Sequence, residues 1–211
     1  MHSANAKSWE LRSEVPDEPH IALFVRDALQ LQIPPTSSKP LPPLEGEIPD
    51  LRLLVTEEER EQLALAYPDW WESSFQGAAL LTAHRGGNDP AAFHRELEAA
   101  SARFYEPLTS HVELRQQAAA WLAEHRKPHS RRPPDSRRRD WEIARDAVEA
   151  AATDLGVAPG ELRANTSLLL VQGIWYATPA PGSLLYSPAV SDDAHLFGDV
   201  LRDAFASSLG P

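Results

Sequence analysis

Cysteine is absent from this chain. That removes disulfides, thiolate nucleophiles, Cys-ligated zinc and iron–sulfur clusters together, and it fits a reducing compartment. Long apolar runs are absent too. Nowhere do about 18 apolar residues follow one another, as a spanning helix requires, and the opening "MHSANAKSWE" lacks the apolar stretch of a secretory leader. The expectation is a cytoplasmic protein with no membrane partner. Lysine is scarce, three residues against 17 arginines. The phosphate-binding and nucleophile patterns GxxxxGK[ST], GxGxxG and GxSxG do not occur, and neither HExxH nor ExxH pairs are present. No cofactor is expected, and catalysis only from groups brought together from distant positions.

What is present suffices for a folded protein. Of 211 residues, 42% are apolar and 24% charged, enough for one large domain or one domain plus an arm. The net charge of −11 is unevenly spread. Residues 126–139 hold seven cations and one carboxylate, net +6, while the remainder holds 13 cations and 30 carboxylates, net −17. An acidic body repels polyanions, yet with a Debye length of about 8 Å a protruding basic segment acts locally.

Along the chain, residues 1–16 read as a tail and 17–33 as an amphipathic helix, with Pro19 near its start and Ile21, Phe24, Val25, Ala28 and Leu31 on one side. Residues 34–50, rich in proline, cannot continue it and read as a linker or arm. Thr56 and Glu59 have capping-box spacing and open the helical part of the main domain, 51–124. Phe93, Leu97, Ala100 and Phe104 make one helical stripe there; Leu114, Ala118, Trp121 and Leu122 make another. Residues 125–136, with Pro128, Pro133 and Pro134, are expected to be a basic loop. Residues 137–211 complete the domain. A helix carrying Trp141, Ala144, Val148 and Ala151 on its core side stops at Gly156. A hairpin follows, with Gly173 at a bulge, and then a last helix capped by Ser191. The expected fold is mainly α, an irregular α+β domain of about six helices with one C-terminal β-hairpin.

Three groups of residues suggest chemistry. Tyr67, Trp70, Trp71 and Phe75 lie within nine residues, and one helix face cannot bury two adjacent tryptophans, so one is expected in a groove, a second core or an interface. With Lys39, Pro40 and Pro43 of a PxxP stretch, they are the candidate protein-binding residues. The plainer alternative is an arm packed on its own domain. The second group, Arg126, Lys127, Arg131, Arg132 and Arg137 to Arg139, could meet phosphates, although proline-spaced basic runs also serve as solvated, charge-balancing surface. Arg137 to Arg139 would open a helix, where the macrodipole disfavours cations, so local helix stability does not account for them. Ala152, Gly156 and Leu162 have helix-turn-helix spacing, and with the hairpin the stretch resembles a winged helix over about 50 residues. Pro159, Gly160 and a break at Asn165 favour instead a core-forming helix, turn and hairpin. The third group, His94, Glu98 and His111, could hold a catalytic zinc, against the simpler reading of solvated histidines. His125 and His129 have helical metal-pair spacing with Pro128 between them.

The leading expectation is a non-enzymatic protein-binding protein of regulatory, adaptor or toxin-neutralising type, its partner another protein. The alternatives are a nucleic-acid-binding protein using the basic segment and a metal-dependent hydrolase.

Overall fold

The computed structural model describes residues 9–33, 41–76, 80, 89–130 and 133–209. It is mainly α with a small sheet, as the sequence periodicities imply. The chain divides into two compact units rather than one main domain with a tail: residues 17–125 form a helical unit, and residues 1–16 with 126–211 form a sheet unit.

The helical unit contains α1 (Asp17–Ala28), α2 (Glu57–Ser73), α3 (Pro90–Tyr105) and most of α4 (Val112–Ser130). α1 is buried nearly all round from Pro19 to Val25, a wider burial than an amphipathic stripe. α2 begins as its sequence signals: the Thr56 hydroxyl accepts from the Glu59 amide, and the Glu59 carboxylate accepts from the Thr56 amide at 2.7 Å. It runs through Pro68, which forfeits one helical hydrogen bond. Phe24, Tyr67, Trp70, Phe104, Leu108 and Leu114 are core residues.

The sheet unit contains β1 (Glu10–Glu14), α5 (Pro134–Leu155), β2 (Arg163–Leu168), β3 (Tyr176–Ala177), β4 (Ser183–Tyr186), α6 (Pro188–Asp192) and α7 (Ala194–Ser207). Strand order is β1-β2-β4-β3. β1 and β4 both run parallel to β2, and β3 is antiparallel to β4. Glu10 stands opposite Arg163, and Leu168 opposite Tyr186. The expected hairpin is therefore only the β3/β4 edge of a four-stranded sheet. The expected tail supplies the other edge, β1, because parallel pairing joins segments far apart in the chain. α5 packs on α7, with Ala144, Ala147, Val148 and Ala151 buried. These small residues let α7 approach closely, and a Cβ on Gly198 would sit 3.6 Å from Ile143. Gly156 ends α5 in the left-handed region (φ 67°), and the Val157 amide bonds back to the Ala152 carbonyl, a Schellman stop.

Three local expectations are corrected. The basic segment is not a loop at 125–136: α4 continues through Pro128 to Ser130, and α5 begins at Pro134. Pro128 falls in the last turn and gives up its bond to the Glu124 carbonyl, as Pro68 does in α2, whereas Pro134 occupies the first helical position, where its missing N–H would have no partner anyway. The last helix is capped by Asp193, whose carboxylate accepts from the His195 and Leu196 amides, while the buried Ser191 hydroxyl donates to the Pro188 carbonyl. Gly173 sits at φ 71° outside any strand, in a turn held by the Ser187 hydroxyl donating to its carbonyl, and not at a bulge. Among the described residues, no helix is long and apolar enough to cross a membrane.

Candidate interaction surface

The two adjacent tryptophans divide as their spacing on a helix requires. Trp70 is 4% exposed, stacks on Phe104 at 5.4 Å, and its indole N–H donates to the Phe104 carbonyl at 2.8 Å. It is a core anchor of the helical unit. Tyr67 lies edge-on to Trp70 at 5.9 Å and is equally buried; burial pushes its phenol well above the usual range. Trp71 is half-buried, stacked on Tyr67 at 6.5 Å and met edge-on by the half-buried Phe75 at 4.9 Å. Of the expected aromatic surface, only Trp71 and Phe75 reach solvent.

The proline arm is held by its own unit. Arg26 pairs with Asp27 at 2.6 Å and donates to the Leu41 and Pro42 carbonyls at 3.2 and 2.7 Å. The Leu44 amide donates to Asp27 at 2.8 Å, and the Leu44 side chain is buried. Pro43 is exposed, whereas Lys39 and Pro40 lie outside the described residues. The ring of His125, stacked on Trp121 at 4.3 Å, sits so close to Gly46 that a Cβ there would lie 2.8 Å from its Nε2. Gly46, at φ 80°, is the residue that permits this approach.

In the sheet unit the basic residues separate into two sets. Arg126 donates to the Val15 carbonyl at 3.0 Å, and Arg139 donates to the Ser191 carbonyl at 2.8 Å and pairs with Asp140 at 3.2 Å. Both are tied into the fold. Arg137 and Arg138 are exposed on the first turns of α5, and neither forms an ion pair among the described residues. Lys127 is exposed, and Arg131 and Arg132 lie outside the described residues.

Trp141, expected in the core, is 55% exposed. A helical side chain leans toward the helix N-terminus, so this ring covers the turn ahead of the alanine stripe that meets α7. It packs on the half-buried Trp9 at 5.8 Å, which is itself edge-on to Phe205 at 6.1 Å. The Arg145 guanidinium lies 5.8 Å over the Trp141 ring centre, and its hydrogen bond to Asp146 raises its pKa further. Arg138, Trp141 and Arg145 are spaced i, i+3 and i+7, so they share one face of α5. That spacing is legible in the sequence; the solvent exposure of the Trp141 ring is not.

The remaining expectations do not assemble. Ala152 and Gly156 form the helix and turn of a helix-turn-helix, but a single 3-10 turn (Pro159–Glu161) follows and β2 starts at Arg163, so no recognition helix exists. His94 and Glu98 are exposed, and among the described residues no three His, Asp or Glu side chains are placed to hold a metal. His195 pairs with Asp199 at 3.0 Å, and its pKa is raised, first through its own backbone and then by that carboxylate. An open depression of about 320 Å³ in the helical unit is lined by Ile21, Tyr105, Arg115, Gln116 and Ala119. No family model matches the chain, nor does any curated protein or solved structure.

Proposed function

We propose that this is a non-enzymatic binding protein whose principal contact surface is the Trp9/Trp141 face of the sheet unit, with Arg138 and Arg145 beside the ring. The single observation that carries this reading is the exposure of Trp141. A tryptophan flanked by arginines is the composition of interface anchors, and leaving its ring in water forgoes roughly 25 cal/mol for each Å² a partner could cover. Regulatory and adaptor roles fit such a surface, and a cysteine-free chain fits the cytoplasm. This reading is of the same class as the expected binding protein, with its contact surface placed at Trp141 in place of the Trp70/Trp71 region and the proline arm.

Affinity capture from native cell extract tests this, using wild type, Trp141→Ala and Trp71→Ala. The same macromolecule should be retained by wild type and Trp71→Ala and lost with Trp141→Ala. Equal recovery by the Trp141→Ala protein would overturn the assignment, and selective loss with Trp71→Ala would move the surface to the helical unit.

A further inference from the structure

We propose that the Trp9/Trp141 face takes single-stranded nucleic acid, an inference that rests on this face being the contact surface. The argument begins with the shape of what is offered. A protein partner is anchored by side chains that enter pockets, whereas an unpaired base needs only a flat π face and a cation near its backbone. Trp141 offers a ring more than half open to solvent, with a second indole, Trp9, 5.8 Å away at a tilt of 38°, and the Arg145 guanidinium 5.8 Å over it, which an incoming base and its phosphate would have to displace. Two tilted rings side by side suit successive bases of a flexible strand better than the parallel, paired stack inside a duplex.

Cations flank the ring along the helix axis. At about 1.5 Å rise per residue, Arg138 and Arg145 are separated by roughly 10 Å with Trp141 between them. Arg137 adds a third guanidinium at the same end, and neither Arg137 nor Arg138 is neutralised by an ion pair among the described residues. Arg145 is paired with Asp146, a solvent-exposed contact at 2.9 Å that a phosphate can displace. Guanidinium groups are suited to this task because they stack on aromatic faces and hydrogen-bond phosphates through two donors at once.

Charge complementarity selects the ligand. In a chain of net charge −11, the first turns of α5 present two exposed guanidinium groups, Arg137 and Arg138, with no ion pair among the described residues, and a polyanion is drawn to that end of the face. Glu142, Asp146 and Glu149 follow Trp141 on α5, so a strand is held mainly at the N-terminal turns, with Arg145 the far end of its footprint. A short footprint and a pronounced salt dependence follow. With about three phosphates engaged, at ~0.7 per contact for a single strand, affinity falls roughly 20-fold between 50 and 200 mM salt. The basic segment thus acts through unstacked bases rather than through a recognition helix in a groove.

The test is fluorescence anisotropy with the full chain at low salt. The probes are labelled oligo-dT and oligo-U of about 12 nucleotides, a duplex of the same length, and a poly-glutamate peptide of matching charge. The single strands should bind more tightly than the duplex or the peptide. Trp141→Ala should weaken strand binding about tenfold or more, and Trp141→Phe should keep most of it. Arg137→Gln with Arg138→Gln changes only exposed side chains, so it leaves the fold intact, and it should also weaken binding and flatten the salt dependence. Failure of both strands to bind, or equal binding by Trp141→Ala and wild type, would overturn the proposal. Preferential binding of the peptide, lost with Trp141→Ala, would overturn the nucleic-acid assignment while leaving the contact surface in place. Absence of any ligand that depends on Trp141, here and in the capture experiment, would overturn both.

Discussion

Replacing each of the paired tryptophans in turn separates core from surface. Trp70→Phe keeps a ring in the slot but removes the indole N–H that the buried Phe104 carbonyl accepts. Leaving that carbonyl without a donor costs about 1 to 3 kcal/mol. The smaller ring forfeits a further ~1 to 2 kcal/mol of buried area and contact with Phe104. The expected loss is about 3 kcal/mol, and Trp70→Ala should approach the upper end of the range for aromatic truncations, about 5 kcal/mol. Trp71→Ala gives up partial burial and one stacking contact with Tyr67, for about 1 to 2 kcal/mol. Urea unfolding followed by circular dichroism at the helix band reads these differences without depending on tryptophan emission. Because the chain has two units, the transition of the helical unit is the one to compare. A Trp71→Ala loss equal to or larger than that of Trp70→Ala would refute the partition, and so would a neutral Trp70→Phe.

Two further perturbations probe how the helical unit is held. Asp27→Ala leaves the buried Arg26 guanidinium without its carboxylate and the Leu44 amide without its acceptor; a loss of about 3 kcal/mol or more is expected, with faster proteolysis at residues 41–50. Unchanged cleavage there would mean that the clamp does not hold the arm. Thr56→Ala removes the cap of α2 and should cost about 1 kcal/mol. The Thr56 amide and hydroxyl hold the Glu59 carboxyl below the usual glutamate range, so this contribution is complete above that range and is lost as pH falls through it. The gap in helix content between wild type and Thr56→Ala should therefore narrow as the solution is acidified without closing, because the Thr56 hydroxyl still accepts from the Glu59 amide, and a gap that widens would contradict the box.

Signals that act within one turn were legible, and those that depend on partners across the fold were not. Thr56 with Glu59, Gly156 and the split between Trp70 and Trp71 each follow from geometry over at most four residues, and each appears as the local chemistry dictates. β1 escaped because "ELRSE" is charged, with three of its five residues exposed; its strand conformation comes from pairing with β2, more than 140 residues later, and not from any period of its own. Pro128 misled in the opposite direction: α4, like α2 at Pro68, runs through its proline at the loss of a backbone hydrogen bond. Trp141 combines both difficulties. It fits the helical period of Ala144, Val148 and Ala151, yet period specifies a direction and not what lies there. Because its ring leans ahead of the stripe that α7 covers, a residue that scores as core by spacing becomes the most exposed tryptophan among the described residues. The same local rule that concealed it from periodicity is thus what leaves its ring in solvent.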